Sequence, residues 1–303
     1  MNFSVWTDVA RVVITNTAIL SNTSYDLLGA GIANQYNTEL YVSGSTISGN
    51  AGAGIGMQGA DTRNQPKAVI KNSLISNNLG SGIAAGEFGL PFAAVWIWNT
   101  TISGNQGYNC AAIDAWWFLS GTFLTIVGNR SSGTLSSVCN SSDSPLSVSL
   151  RFSIIADNSP KNCGTSWSSP NQYAGSFSTD DSCPGAQQVG ASDLKLGPLQ
   201  VNPPGATATH ALLPGSVAID SVSLQDCQDP FGRALTEDQR GVSRPQGPKC
   251  DAGAFEAQAV APTPTPTPTP TPSPSPGPLP TPTPTPTPSV PPQRLYFPLV
   301  AKQ

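Results

Sequence analysis

Charge is scarce in this chain. Asp, Glu, Lys and Arg make up only 11% of its 303 residues, and the net charge is −4. That balance excludes the basic footprint of a nucleic-acid-binding surface. There is one histidine, His210, and the six cysteines include no C-x-x-C pair, so zinc ligation is not expected. No run approaches the roughly 20 apolar residues of a membrane-spanning helix. No stretch sustains apolar residues at helical spacing, which leaves strands and turns as the building material. No cofactor is expected.

What the chain does have is a period. An isoleucine is followed three positions later by asparagine at Ile19–Asn22, Ile47–Asn50, Ile75–Asn78, Ile102–Asn105, Ile126–Asn129 and Ile155–Asn158. The asparagines step by 28, 28, 27, 24 and 29 residues. Periods in this range mark stacked repeats. Ten and eight positions before each Asn the residues are mostly apolar (Val12 and Ile14, Leu40 and Val42, Val95 and Ile97), which reads as a short strand with one buried face. Five before, the residue is mostly a small hydroxyl: Thr17, Ser45, Ser73, Thr100, Ser153. The buried parity then shifts, so the chain must bend, and Asn16, Asn72 and Asn99 suit a left-handed bend. Gly52, Gly54, Gly80 and Gly82 punctuate the return to a further apolar position. Each unit therefore holds about three short strands, and a parallel coil of about six rungs follows. Leucine-rich repeats are usually shorter and propeller blades longer.

The rungs over about 10–160 resemble the right-handed parallel β-helix, the fold of pectate lyases and many bacterial surface proteins; the handedness is implied by the resemblance. Stacked at the rung spacing, Asn22, Asn50, Asn78, Asn105, Asn129 and Asn158 are expected to form an amide ladder, each donating to the next. Asn22, Asn99, Asn129 and Asn140 also match the N-x-Ser/Thr glycosylation pattern. Three of these fall on repeat positions, so those matches read as coincidental. Cys110, Cys139, Cys163, Cys183, Cys227 and Cys250 are an even, widely spaced set that fits disulfides and an oxidising, extracellular setting. Fifteen pairings of six cysteines exist. Sequential pairing is expected, since each bridge then closes a local loop.

The expected organisation is β-helix rungs over 1–160, a loop-rich transition over 161–189, a module over 190–257, a Pro/Thr-rich stalk over 258–293 and a short end segment over 294–303. Within the module, Leu194-Lys-Leu-Gly197-Pro198-Leu199, Thr209-His210-Ala-Leu-Leu-Pro214-Gly215, Asp238-Gln239-Arg240-Gly241-Val-Ser-Arg244-Pro245 and Cys250-Asp251-Ala-Gly253-Ala254-Phe255-Glu256 resemble the choice-of-anchor Q domain of bacterial surface proteins. Asn202-Pro203-Pro204-Gly205 and Ser221 depart from that pattern. Asp220, Arg240, Arg244 and Asp251 read as a structural charge set. His210 lacks a well-placed nucleophile and reads as structural. The module is expected to cap the open end of the stack. Residues 262–292 are nearly pure Pro-Thr and Pro-Ser, a polyproline spacer of roughly 95 Å. The end, Arg294-Leu-Tyr-Phe-Pro298-Leu-Val-Ala-Lys302-Gln303, is too short to span a bilayer. It resembles the aromatic-Pro-Leu ends of Chloroflexota-like surface proteins, which implies a sorting or attachment role. The period is already running at residue 12 and no signal peptide precedes it, so a longer, N-terminally extended gene product is expected.

For function, the richest patch joins Trp96, Trp98, Trp116 and Trp117 with Glu87 and Asp114. The last two are 27 residues apart, about one rung, and tryptophan rings stack on sugars. Polysaccharide or cell-wall glycan is the expected partner. The competing reading is a polysaccharide lyase or glycoside hydrolase, its active site on these rungs or in a missing N-terminal part. Hydrolysis needs two carboxylates about 5–10 Å apart. No acidic pair repeats here beside basic neighbours, and the Asn-Thr-Asp, Gly-His-Gly and Arg-Ile-Lys signatures of polygalacturonases are missing. The non-enzymatic surface scaffold is therefore the favoured reading.

Overall fold

The computed structural model describes residues 9–24, 29–59, 65–86, 92–133, 135–140, 148–165 and 171–258. The chain divides into two units, Met1–Ala259 and Val260–Gln303. The stalk, the end segment and Glu87 lie outside the described residues.

Each rung contributes two adjoining strand segments to one parallel sheet and a third to another. The first rung supplies Ala10–Thr15, Ala18–Leu20 and Ile32–Gln35; the second supplies Thr38–Ser43, Thr46–Ser48 and Ile55–Gln58. The third follows with Lys67–Lys71, Leu74–Ser76 and Ile83–Ala85. In the fourth and fifth rungs the first two segments run on as Ala94–Ser103 and Phe118–Val127, with Ile113–Ala115 and Val138–Asn140 in the second sheet. Val148–Arg151, Ile154–Ala156 and Cys163–Thr165 make the sixth. Among the described residues, the first sheet counts twelve strands and the second six.

Two left-handed residues turn each rung. Six before each closing Asn stand Asn16, Asn72, Asn99, Phe123 and Phe152, with φ of 50°, 52°, 45°, 56° and 54°, and Gly44 at 59°. One before it stand Ser21, Asn77 and Asp157 or a glycine, all with positive φ. The hydroxyl after the first bend locks it. Ser73 donates to the Lys71 carbonyl (2.7 Å) and accepts the Ser45 N–H (3.2 Å) of the rung before. Ser45 and Ser153 act in the same way.

Inside the coil, Ile47, Ile75, Ile102, Ile126 and Ile155 stack with no exposed surface. Beside them runs the Asn column. The backbone N–H and Nδ2 of Asn50 both donate to Oδ1 of Asn78 (3.0 and 2.8 Å). Asn78 does the same to Asn105, Asn105 to Asn129 and Asn129 to Asn158. The second Nδ2 hydrogen of each reaches back to the isoleucine carbonyl of the preceding rung, as from Asn78 to Ile47 (3.2 Å). Every amide from Asn50 to Asn129 thus accepts two bonds and donates two, its full capacity. Asn158 passes the column to Asn162, which ends it by donating to the hydroxyls of Ser178 and Thr179. Asn99 and Asn129 are fully buried, so neither glycosylation match there presents an acceptor.

Three disulfides join Cys110–Cys139, Cys163–Cys183 and Cys227–Cys250. The segment expected as a loop-rich transition is partly built into the stack. Cys163–Thr165 is the last strand of the second sheet, and Phe177–Ser178 and Gln187–Gln188 extend the first. The fully buried Tyr173 joins the interior cluster there.

The following module does not cap that end; it lies along the flank of the rungs. It holds the helix Ala191–Leu194 and an antiparallel pair, Leu196–Val201 with Ala208–Leu212. Gln239 accepts from Thr101 (2.6 Å), the Ala254 N–H donates to Thr125 (2.9 Å), and the Gly253 N–H donates to the Phe152 carbonyl (2.9 Å). The physical reason lies in the irregular rungs. Where Asn or Gly holds the first bend elsewhere, Phe123 and Phe152 hold it in the fifth and sixth rungs and pack with Leu194, Leu212, Val222 and Phe255. A left-handed conformation costs a bulky residue about 1–2 kcal/mol. Burying a phenylalanine returns about 1.5–3 kcal/mol, so packing wins. The same two rungs exchange volumes in the interior. A Cβ on Gly121 would meet Leu124 at 3.0 Å and Leu150 at 2.7 Å, and Leu124, in the hydroxyl position, fills the space Gly121 leaves.

Candidate functional site

The parallel register places one outward residue of every rung in a straight column. Val13 pairs with Tyr41, Tyr41 with Val69, Val69 with Trp96, and Trp96 with Ser120. Alternation of side chains along a strand turns these residues outward between buried neighbours such as Leu40 and Val42. Two positions on, the next column reads Ser43, Lys71, Trp98 and Thr122.

A finger of the module closes one side of this face. The Asp229 carboxylate accepts the N–H groups of Phe231 (2.8 Å) and Arg233 (3.0 Å) and pairs with Arg233 Nε (2.8 Å). Gly232, at φ 77°, makes the turn. Phe231 is thereby stacked on Trp96, with centroids 5.7 Å apart at 24°, and meets the edge of Trp98 at 6.1 Å. A cleft of about 160 Å³ opens between Trp96, Phe231, Tyr41, Glu39 and Lys67. A wider one of about 340 Å³ adjoins it, sharing Tyr41, Val69 and Phe231 and reaching Arg233. Arg11 lies over the Tyr41 ring at 4.3 Å, and the Tyr41 hydroxyl donates to Glu39 (3.2 Å). The result is a shelf of aromatic faces, partly open and edged with charge.

Of the patch expected from sequence, Trp96 stands on this shelf, and Trp98 lies beneath the finger at 6% exposure. Trp116 and Trp117 sit elsewhere, in the turn from the second sheet to the first, where Trp117 packs edge-on against Phe92 at 4.9 Å. Asp114 is in the second sheet, in register with Ala84 and Cys139. The local repeat there is 30 residues, not 27, so the register sets Asp114 beside Ala84. Tyr41, Phe231, Glu39 and Lys67 were not singled out. Tyr41 and Trp96 were findable, since both stand nine residues before a closing Asn. Phe231 was not, because it comes from outside the repeat.

The module's charges are structural, with different partners from those expected. Arg240 pairs with Asp238 (2.7 Å) and Arg244 with Glu256 (3.0 Å); at Asp251, Arg244 bonds the backbone carbonyl and not the carboxylate. Among the described residues, no group of three or more His, Cys, Asp or Glu is arranged to hold a metal ion, and no helix is long and apolar enough to cross a membrane.

His210 ties the module to the fourth rung. Its Nδ1 is 2.8 Å from the Gly197 carbonyl and its Nε2 3.0 Å from the Ser103 hydroxyl. A carbonyl only accepts, so Nδ1 carries the proton and neutral Nε2 accepts from Ser103. Burial pushes the pKa below the usual imidazole value, against the opposing pull of the Gly197 bond and Asp157. The unfolded chain therefore binds this proton more tightly. The stability this group contributes is complete above the ordinary imidazole pKa of about 6.5 and declines as pH falls below it. Urea unfolding of wild type and His210→Asn from pH 7.5 to 5 is expected to give a stability difference that shrinks with acidification. A constant difference would remove His210 from the pH dependence.

Residues 3–131 match the family described as the right handed beta helix region. The parallel stack described above is an all-β parallel solenoid, and the match is consistent with a right-handed parallel β-helix. No curated protein and no solved structure matches the chain.

Proposed function

We propose that this protein is an extracellular, surface-attached scaffold that binds saccharide chains on the Tyr41–Trp96–Phe231 shelf without cleaving them. The observation that carries the reading is the partly open shelf of Tyr41, Val69 and Trp96, closed on one side by Phe231 of the module's finger. The C–H face of a sugar ring is apolar and slightly positive, a complement to the negative face of an aromatic ring. Charged groups at the rim supply hydrogen bonds to hydroxyls. Of the carboxylates at the shelf, Asp229 is committed to the finger and Glu39 stands with Tyr41, which favours retention over hydrolysis. Three disulfides support an oxidising compartment. The choice-of-anchor Q-like blocks, the Pro/Thr-rich segment 258–293 and the end segment 294–303 support attachment beyond a spacer.

Incubation with a panel of plant and bacterial polysaccharides tests this reading. Retention of a polysaccharide without new reducing ends or unsaturated products is expected, and Trp96→Ala and Tyr41→Ala should each weaken binding about tenfold, on the order of 1.4 kcal/mol. Release of reducing ends or unsaturated products would replace the binder with an enzyme.

A further inference from the structure

Beside the shelf, where the finger crosses the left-handed asparagine column, lies a separate pocket of about 260 Å³. Trp98 forms one wall, and Lys71, Asn72, Asn99, Arg233 and Glu237 converge on it. Nδ2 of Asn72 donates to the Glu237 carboxylate (3.2 Å), and Nδ2 of Asn99 donates to the Glu237 carbonyl (2.7 Å). These bonds fix both amides in one orientation. Each then has a carbonyl oxygen without a hydrogen-bond partner, although Asn99 is fully buried. Among the other described residues, buried asparagines satisfy both ends, as the closing column does, so two adjacent unclaimed acceptors are an exception.

The mixture of groups narrows what fits. A simple cation would face Lys71 and the guanidinium of Arg233. A simple anion would face Glu237 and two amide oxygens. A hydroxyl donates and accepts at once, so three neighbouring hydroxyls, one for each acceptor, satisfy both sets. The volume is below the roughly 300–1,000 Å³ of ordinary ligand clefts, which suits one small ring rather than a chain. We infer that this pocket is a subsite for a single neutral sugar residue, its vicinal hydroxyls donating to Asn72, Asn99 and Glu237 and accepting from Lys71, with Trp98 against its face. This rests on the saccharide reading and adds to it the class of sugar and a second point of contact.

Gly44 occupies the same bend two rungs from Asn99 and one from Asn72, at φ 59°, so Asn72→Gly removes the amide without straining the backbone. The experiment is calorimetric titration of the whole chain with hexasaccharides of β-1,4-glucose, β-1,4-mannose and α-1,4-galacturonate. Wild type, Asn72→Gly, Glu237→Gln and Trp96→Ala are compared, each checked for an unchanged melting temperature. Binding of a neutral hexasaccharide in preference to the galacturonate, weakened about tenfold in both Asn72→Gly and Glu237→Gln, is the expected result. Loss in Trp96→Ala with no change in the two pocket variants would overturn the subsite and leave the shelf standing. Loss in the pocket variants alone would keep the subsite and overturn the shelf. Preference for the galacturonate, or no binding to any of the three, overturns the neutral-sugar subsite.

Discussion

Asn78→Ala is expected to lower stability by about 3–5 kcal/mol, the sum of at least two buried groups left unpaired at roughly 1–3 kcal/mol each. The wild-type side chain accepts both the N–H and the Nδ2 of Asn50, and it donates to Asn105 and to the Ile47 carbonyl. Alanine strips these bonds from the Asn50 N–H, the Asn50 Nδ2 and the Ile47 carbonyl inside a dry column, where water cannot enter to replace them, and leaves Asn105 Oδ1 only the backbone N–H of residue 78. At about 2–4 °C per kcal/mol for a chain unit of this size, the melting temperature should fall by roughly 10 °C. Asn22→Ala is the control. Asn22 is exposed on the first rung, and its loss removes the side-chain bond it donates to Asn50, while the bond from its backbone N–H remains. A cost below about 1 kcal/mol is expected there, the net worth of ordinary solvent-exposed bonds. Thermal and urea denaturation of the two variants side by side reads the difference. Equal, small shifts in both would mean that the column contributes no more than its exposed end.

The same column explains why so much of the fold was legible. A buried amide has to be satisfied at every level, and only its counterpart one rung away is in reach, so Asn recurs. The isoleucine three residues earlier recurs because it fills the same interior slice, and a small or asparagine residue recurs where the backbone must be left-handed. Sequential pairing of the cysteines followed from the same locality, since chain segments one turn apart are spatial neighbours. What was not legible depended on breaks in the repeat. Phe123 and Phe152 read as lapses of pattern, yet they form the surface on which the module packs, and Leu124 breaks the pattern by filling interior space beside Gly121. The module was therefore expected at the end of the stack and found along its flank. Asn162, four residues after Asn158, ends the column without any repeat to announce it. The functional patch was legible only in part: a 27-residue step relates Asp114 to Glu87, which lies outside the described residues, while the local step of 30 sets Asp114 beside Ala84. Phe231 comes from 135 residues beyond Trp96, and no periodicity relates them.

Glu256→Ala is expected to cost about 3–5 kcal/mol, because it strands a buried guanidinium. Arg244 and Glu256 have fully buried side chains 3.0 Å apart. Arg244 also donates to the carbonyls of Asp251 (2.6 Å) and Gly253 (2.8 Å) and lies over the Phe123 ring at 4.6 Å, so it links the module's last turn to the fifth rung. Glu256 accepts the N–H groups of Gln246 and Asp251 as well (2.9 and 3.0 Å). Removing both charges together, in Arg244→Met with Glu256→Leu, should be less damaging than either single change, since no charge is then stranded. Recovery should stop short of wild type, because the two carbonyls and two N–H groups that the pair served would still lack partners. Burial raises the Glu256 and Asp251 pKa values, against the pull of Arg244 and backbone N–H groups. The folded state therefore holds these protons more tightly than the unfolded chain, and the contribution of these two carboxyls to stability increases as pH falls through their raised pKa values and is complete below the ordinary carboxylate range. This runs opposite to His210. Urea unfolding from pH 7.5 to 5, followed by tryptophan fluorescence, measures both the coupling and its pH slope. Independent, additive effects of the two single changes would show that the pair does not act as a unit.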